Sequence, residues 1–294
     1  MRIVGIDVAR AVALIAMVAA HLTVTGANTL GIVGQLLYGF PAALFAFLAG
    51  ISMSLMRPHP VTFLVRGLIL IILHFVLVPF AGSIEVVLLP LGLSMMLLAF
   101  VPSWSTPRLS AVGIIVIALS ATTSQLGGIF GAPYPLAMWV ALMVAGMLFN
   151  RIKHLNIAVL VGGALAIADI YLRLHVVLPV WLDANGHTGG IIDVLGSIGM
   201  SAAVVALCRL LYSVIPASPV LQPMGSMTLT LYCLHILTSE YLSFVVTVIA
   251  AAVIAVVWKH FFTRGPLEAG VANITKTAKE NYETRTHSSA RSNG

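Results

Sequence analysis

Apolar runs of about 17 residues or more recur along the whole chain, separated by short polar breaks. A helix needs a run of that length to cross a hydrocarbon layer of ~30 Å at 1.5 Å per residue. The pattern predicts ten spans, at roughly 4–24, 34–56, 61–81, 84–101, 109–126, 134–149, 155–174, 192–215, 221–238 and 241–262. The runs are continuous rather than alternating, which argues against a β-barrel. The expected fold class is all-α, a polytopic integral membrane bundle of about ten transmembrane helices. Residues 1–263 form the membrane domain and 264–294 a polar, disordered cytoplasmic tail. The first run is too long, and too charged at its start, for a cleaved signal peptide. No repeat is visible, so an inverted-repeat transporter gains no support.

Composition agrees with the pattern. The 294 residues are 60% hydrophobic and 8% charged, and the mean hydropathy is +1.07. A net charge of +6 does not imply nucleic acid, because the basic residues are scattered and mostly flank the apolar runs. Membrane topology explains them better. With the N-terminus in the cytoplasm, Arg57, Arg66, Arg108, Arg151, Arg209 and Arg264 all fall inside, and Arg173 alone falls outside. Both termini are therefore expected in the cytoplasm of a multi-pass cell-membrane protein. Glu85, Asp169, Asp193, His21, His74, His187 and His235 then lie in the outer half. Cys208 and Cys233 sit inside apolar runs and have no metal-ligand or disulfide spacing.

Candidate chemistry starts in the first run, which carries Asp7, Arg10 and His21. Charged groups in hydrocarbon are costly, so each needs a partner or a job. Eleven residues at 100° each bring His21 to within about 20° of the Arg10 face, ~16 Å further along the axis. Asp7, Arg10 and His21 thus share one stripe. Asp7 can pair with Arg10 three positions away. Arg10 suits a phosphate-bearing ligand arriving from the cytoplasm. The competing reading is neutralisation near the boundary, with Arg10 reaching to headgroups. His21 is a candidate base or nucleophile. Asp7 is ~21 Å from it along the helix axis, so a carboxylate that orients His21 must come from Asp193, Glu85 or Asp169.

The longest outer connection, 174–191, ends in Asn185-Gly186-His187-Thr188-Gly189-Gly190 ahead of Asp193. His187, Asp193 and Glu85 are the candidate acceptor-binding residues, although Asp193 also suits a helix cap. His235 reads as a packed histidine.

The stretch IDVARAVALIAMVAAH, with its Arg-X10-His spacing, resembles the opening of the transmembrane acyltransferase superfamily. That group includes the acyltransferase-3 and heparan-α-glucosaminide N-acetyltransferase proteins. FPAALFAFLAGISMSL at 40–55, GHTGGIIDVLGSIGMSAAVVALC at 186–208, PMGSMTLTLYCLH at 223–235 and RGPLE at 264–268 resemble its YeiB-like bacterial branch, in the same order. Ala11 departs from the glycine usual in that branch. The resemblance implies acyl transfer across the membrane, from acyl-CoA (acetyl-CoA) in the cytoplasm to a hydroxyl or amine of an outer glycan or glycolipid. His21 matches the catalytic histidine, Arg10 its partner in the motif, Asp7 the branch's acid and His187 the histidine of the late segment. Arg10, Arg57 and Arg66 are the expected contacts to the CoA phosphates. No metal and no nucleic acid is expected, and a homo-oligomer stays open. The rival expectation is a proton-coupled transporter or lipid flippase using His74, Asp169, His187, Asp193 and His235 as a relay. A non-catalytic scaffold acting through the tail is a third.

Overall fold

The computed structural model describes residues 3–23, 32–56, 58–215 and 218–292. Its elements are helices, with no strand among the described residues. In order they are α1 (Val4–Thr23), α2 (Ile32–Leu37), α3 (Phe40–Leu55), α4 (Pro60–Leu77), α5 (Leu88–Leu97), α6 (Thr106–Thr123) and α7 (Leu136–Phe149). There follow α8 (Leu155–His175), α9 (Ile191–Val214), α10 (Leu221–Ser226), α11 (Thr228–Thr238), α12 (Phe244–Phe261) and α13 (Pro266–Ser292). Prolines at the first turn open α3, α4 and α6, where a missing N–H leaves no helical bond unmade.

Seven helical segments are long and apolar enough to cross a membrane: 4–23, 32–55, 60–80, 106–126, 155–175, 191–214 and 244–261. This is a helical membrane protein. The other three expected spans are the shorter helices α5, α7 and α11. Two expected spans are broken. Gly39, at φ +96°, separates α2 from α3, and Met227 separates α10 from α11.

The bundle is assembled around α1, which packs against α3, α9, α10, α11 and α12. Ala9, Ala11 and Ala13 have no exposed surface, so these neighbours approach closely. Ala11 therefore fits its site without a glycine. The α3–α7 crossing is closer still. A Cβ on Gly50 would lie 1.9 Å from the Met143 carbonyl oxygen, and one on Gly146 2.0 Å from that of Phe47. The two backbones touch there. Helix α7 is buried almost all round, as its uniformly apolar sequence requires. By contrast α4, α6, α8 and α12 expose Phe75, Ile114, Leu160 and Val253, an outer surface suited to lipid chains.

The C-terminal segment corrects one expectation. Residues 264–294 read as a disordered tail from their polarity, yet Pro266–Ser292 is helical. Pro266 opens it, and Lys276–Glu280 (3.8 Å) and Lys279–Glu283 (3.6 Å) pair at i,i+4. It packs on α4 and α11, burying Thr275. Its Glu268 fills the α10–α11 break. The carboxylate accepts the N–H groups of Leu229 (2.8 Å) and Thr230 (3.2 Å) and the Thr230 hydroxyl (2.6 Å). The unpaired donors that open α11 are thus satisfied by the chain itself.

Candidate functional site

The stripe read from the first run reaches two different places. At one end, Arg10 Nη1 donates to Asp7 Oδ1 (2.7 Å) and Nη2 donates to Ser52 Oγ (2.7 Å). Ser52 Oγ in turn donates to the Leu48 carbonyl at 2.6 Å. Asp7 is buried, while a quarter of the Arg10 side chain (25%) remains exposed. Asp7 and Ser52 therefore fix the guanidinium, and part of the Arg10 side chain stays accessible. Arg66 of α4 has Arg10 and Arg264 as its electrostatic neighbours. Its Nε is buried without an acceptor among the described residues. Three guanidinium groups thus gather at this end, an arrangement that favours an anion. Arg57, expected beside them, lies outside the described residues.

At the other end of α1, His21 opens onto a cavity of about 280 Å³. Met17, Tyr38, Glu85, Tyr134 and His187 share its wall. His21, Glu85 and His187, all expected from the sequence, are thereby brought together. The group that meets His21 is not a carboxylate. His21 Nδ1 lies 3.1 Å from His235 Nε2, with the rings 11° from parallel. The expectation that Asp193, Glu85 or Asp169 orients His21 is replaced by this histidine.

Asp169 and Asp193 are committed to Arg173, whose side chain has no exposed surface. Arg173 Nη2 is 2.8 Å from Asp169 Oδ2 and 3.6 Å from Asp193 Oδ1. Nη1 donates to the Tyr38 carbonyl (3.1 Å), and the guanidinium lies over the Phe40 ring at 4.5 Å. Arg173 is thus a buried clamp between α8, α9 and the α2–α3 break. Asp193 does not line the cavity. Its Oδ2 accepts the N–H groups of Thr188 and Gly189, both at 3.0 Å, and Oδ1 accepts from Ser197 Oγ at 3.3 Å. Asp193 is not the helix cap expected of it, since Gly190 precedes α9 and makes no side-chain cap; the Asp193 carboxylate instead reaches back and folds the loop that carries His187.

That loop lies against the α2–α3 break, where the Gly186 Cα is 3.1 Å from the position of a Gly39 Cβ. Side chains at both positions are excluded. His187, at φ +67°, packs edge-on against Tyr38 and Tyr134, each with ring centres 5.1 Å away. Burial, with the Arg173 charge adding to it, lowers the His187 pKa to about 4, so the ring is neutral at pH 7. Tyr134 donates its hydroxyl to the Glu85 carbonyl at 3.1 Å. A folded-state value below 6.5 means that the His187 contribution to stability is present above pH 6.5 and is lost as pH falls through about 4. Thermal midpoints measured from pH 7 to 4 are expected to drop more steeply for wild type than for His187→Gln. Parallel curves would contradict the burial of this ring.

His74, a candidate relay group, is occupied by the Val86 carbonyl, 3.0 Å from Nδ1. No group of three or more His, Cys, Asp or Glu side chains is arranged around a metal position among the described residues. Sequence reading missed Ser52, Tyr38, Tyr134 and the role of His235. Ser52 carried a faint signal, one of two serines near the end of an apolar run. No protein-family model matches this chain, and no curated protein matches it.

Proposed function

We propose that the protein is a membrane-bound acyltransferase. It moves an acyl group, acetyl in the simplest case, from acyl-CoA on the cytoplasmic side to a hydroxyl or amine of a glycan or glycolipid on the other side. The chain crosses the cell membrane ten times with both termini inside, as the distribution of basic residues favours. One observation carries the reading: a single helix presents a guanidinium in a basic cluster at one end and a histidine on a cavity at the other. The cluster attracts the phosphates of CoA, and Arg10 supplies a fork that Asp7 and Ser52 hold. The thioester then extends along α1 towards His21. As a base, His21 takes the proton of the acceptor group while that group adds to the carbonyl carbon. The carbon–sulfur bond breaks with its electron pair on sulfur, and the proton follows to give the CoA thiol. As an acyl carrier, His21 itself adds first and is deacylated by the acceptor.

The donor half of the proposal is tested by CoA release from acetyl-CoA, with purified protein in nanodiscs. Arg10→Ala and Arg66→Ala are each expected to raise KM for acetyl-CoA by about tenfold or more, the scale of a lost charge-assisted hydrogen bond. Unaltered KM in both variants would remove the arginine end from the donor site.

The His21–His235 pair also suits a proton-coupled transporter or flippase. Against that reading, Asp169 and Asp193 are committed to Arg173, and Glu268 occupies the half-helix terminus that a transporter offers its substrate. Substrate flux into proteoliposomes without CoA would favour transport.

A further inference from the structure

Two histidines 214 positions apart in the chain meet through their ring nitrogens. His21 comes from the last turn of α1 and His235 from the last turn of α11. At 3.1 Å, Nδ1 of His21 and Nε2 of His235 are within hydrogen-bond distance. Such a bond needs one N–H and one lone pair, so a single proton lies between the rings. Two neutral rings carry two protons on four nitrogens. If the bridging proton belongs to His21, its Nε2 is bare and His235 carries N–H at Nδ1. If it belongs to His235, the His21 Nε2 is protonated and the His235 Nδ1 is bare.

The far end of the pair is unlocked. His235 is 3% exposed, and its Nδ1 is buried with no hydrogen-bond partner among the described residues. In a Ser-His-Asp arrangement a carboxylate at that position holds one tautomer. Among the described residues nothing from α11 or its neighbours fixes the choice, and the cavity side decides it. The surrounding titratable groups are otherwise engaged or lie on the cavity wall. Tyr232 Oη accepts the Val87 N–H at 3.3 Å, and His74 is bonded to Val86. Glu268 caps the opposite end of α11. His187 and Glu85 belong to the wall.

We infer that His235 is the positioning residue of His21 and its proton partner, so that the two rings act as one base with its working end at His21 Nε2. The inference rests on the acyl-transfer reading for its reaction but not for the pairing. An acceptor that offers its proton selects the form with Nε2 bare. Once Nε2 takes that proton, the pair holds three protons and one positive charge. Movement of the bridging proton to His235 shifts the charge away from the reacting atoms. The return path delivers a proton to the leaving sulfur, so the pair ends as it began.

The test has two arms. The first needs no acyl donor. Carbethoxylation of His21 by diethylpyrocarbonate is followed by mass spectrometry across pH 5–8, in wild type, His235→Gln and His235→Asn. Both variants keep a polar group and have no titrating ring. The inference expects the pH midpoint for His21 to move by about one unit or more in both variants. Profiles that coincide with wild type overturn it. In the second arm, His235→Gln is expected to lower kcat for CoA release about 10- to 100-fold, with KM for acetyl-CoA within about twofold. Unchanged kcat overturns the catalytic part. If wild type itself releases no CoA, the acyl-transfer reading fails, and the pairing still stands or falls on carbethoxylation.

Discussion

His21→Ala is expected to cut CoA release by about 10²- to 10⁴-fold, the range that general acid–base catalysis contributes. Binding of acetyl-CoA should survive, because the arginine end of α1 lies ~16 Å away along the helix. The loss should be deep because no neighbour can step in. His187 shares the wall, but its ring is packed between Tyr38 and Tyr134 and burial holds its pKa at about 4. Glu85 shares it too, from the segment before α5 rather than from the last turn of α1. His235 stands one ring further back, against His21 rather than on the cavity wall. Isothermal titration of acetyl-CoA beside the turnover assay separates binding from chemistry. Mass spectrometry of wild type incubated with acetyl-CoA alone distinguishes base from carrier, since a carrier accumulates a labelled His21. Turnover near the wild-type level in His21→Ala would sink the catalytic assignment.

The largest stability effect is expected at Arg173. Its side chain is wholly buried between the Asp169 and Asp193 carboxylates. Arg173→Met removes the cation and leaves two buried carboxylates facing each other. Breaking a buried pair from one side costs about 3–5 kcal/mol, because the remaining charge is stranded. The damage should spread to the loop over the cavity, since Asp193 also holds the N–H groups of Thr188 and Gly189. Arg173→Lys should fall between, as a point charge cannot serve both carboxylates and the Tyr38 carbonyl. Adding Asp169→Asn to Arg173→Met should recover part of the loss, because one stranded charge is gone. Thermal unfolding in detergent measures each step. A midpoint for Arg173→Met equal to that of wild type would mean that the clamp contributes nothing.

Hydropathy located the helices well and their interruptions poorly. The ends of α1, α8 and α9 match the apolar runs, because run length and helix length are set by the same hydrocarbon thickness. The breaks at Gly39 and Met227 fall inside apolar runs, where hydrophobicity gives no sign of a changed backbone. The Asp7–Arg10 pair was legible because it is local, three residues on one helix face. His21, Glu85 and His187 were legible as a set by depth, since all three belong to the same end of the bundle. What pairs with what was not. The partners of His21 and Glu268, and Asp193 and Tyr38 beside Arg173, come from other segments, and helical periodicity says nothing about such contacts; the i,i+4 spacing of Asp169 and Arg173 on α8 was there to be read. Arg173 misled for a related reason. Counted by topology it is the lone basic residue of the outer side, whereas buried between two carboxylates it belongs to the interior.

The seat of Glu268 in the α10–α11 break bears on how the protein can be cut and tagged. A truncation at residue 265 removes the carboxylate that closes the start of α11 and bares the surface of α4 and α11 that α13 covers. Loss of function after such a deletion would report a loosened bundle, and would pass easily for loss of a binding partner. A fusion placed after α13 leaves the seat filled, and Glu268→Gln is the gentler way to probe it.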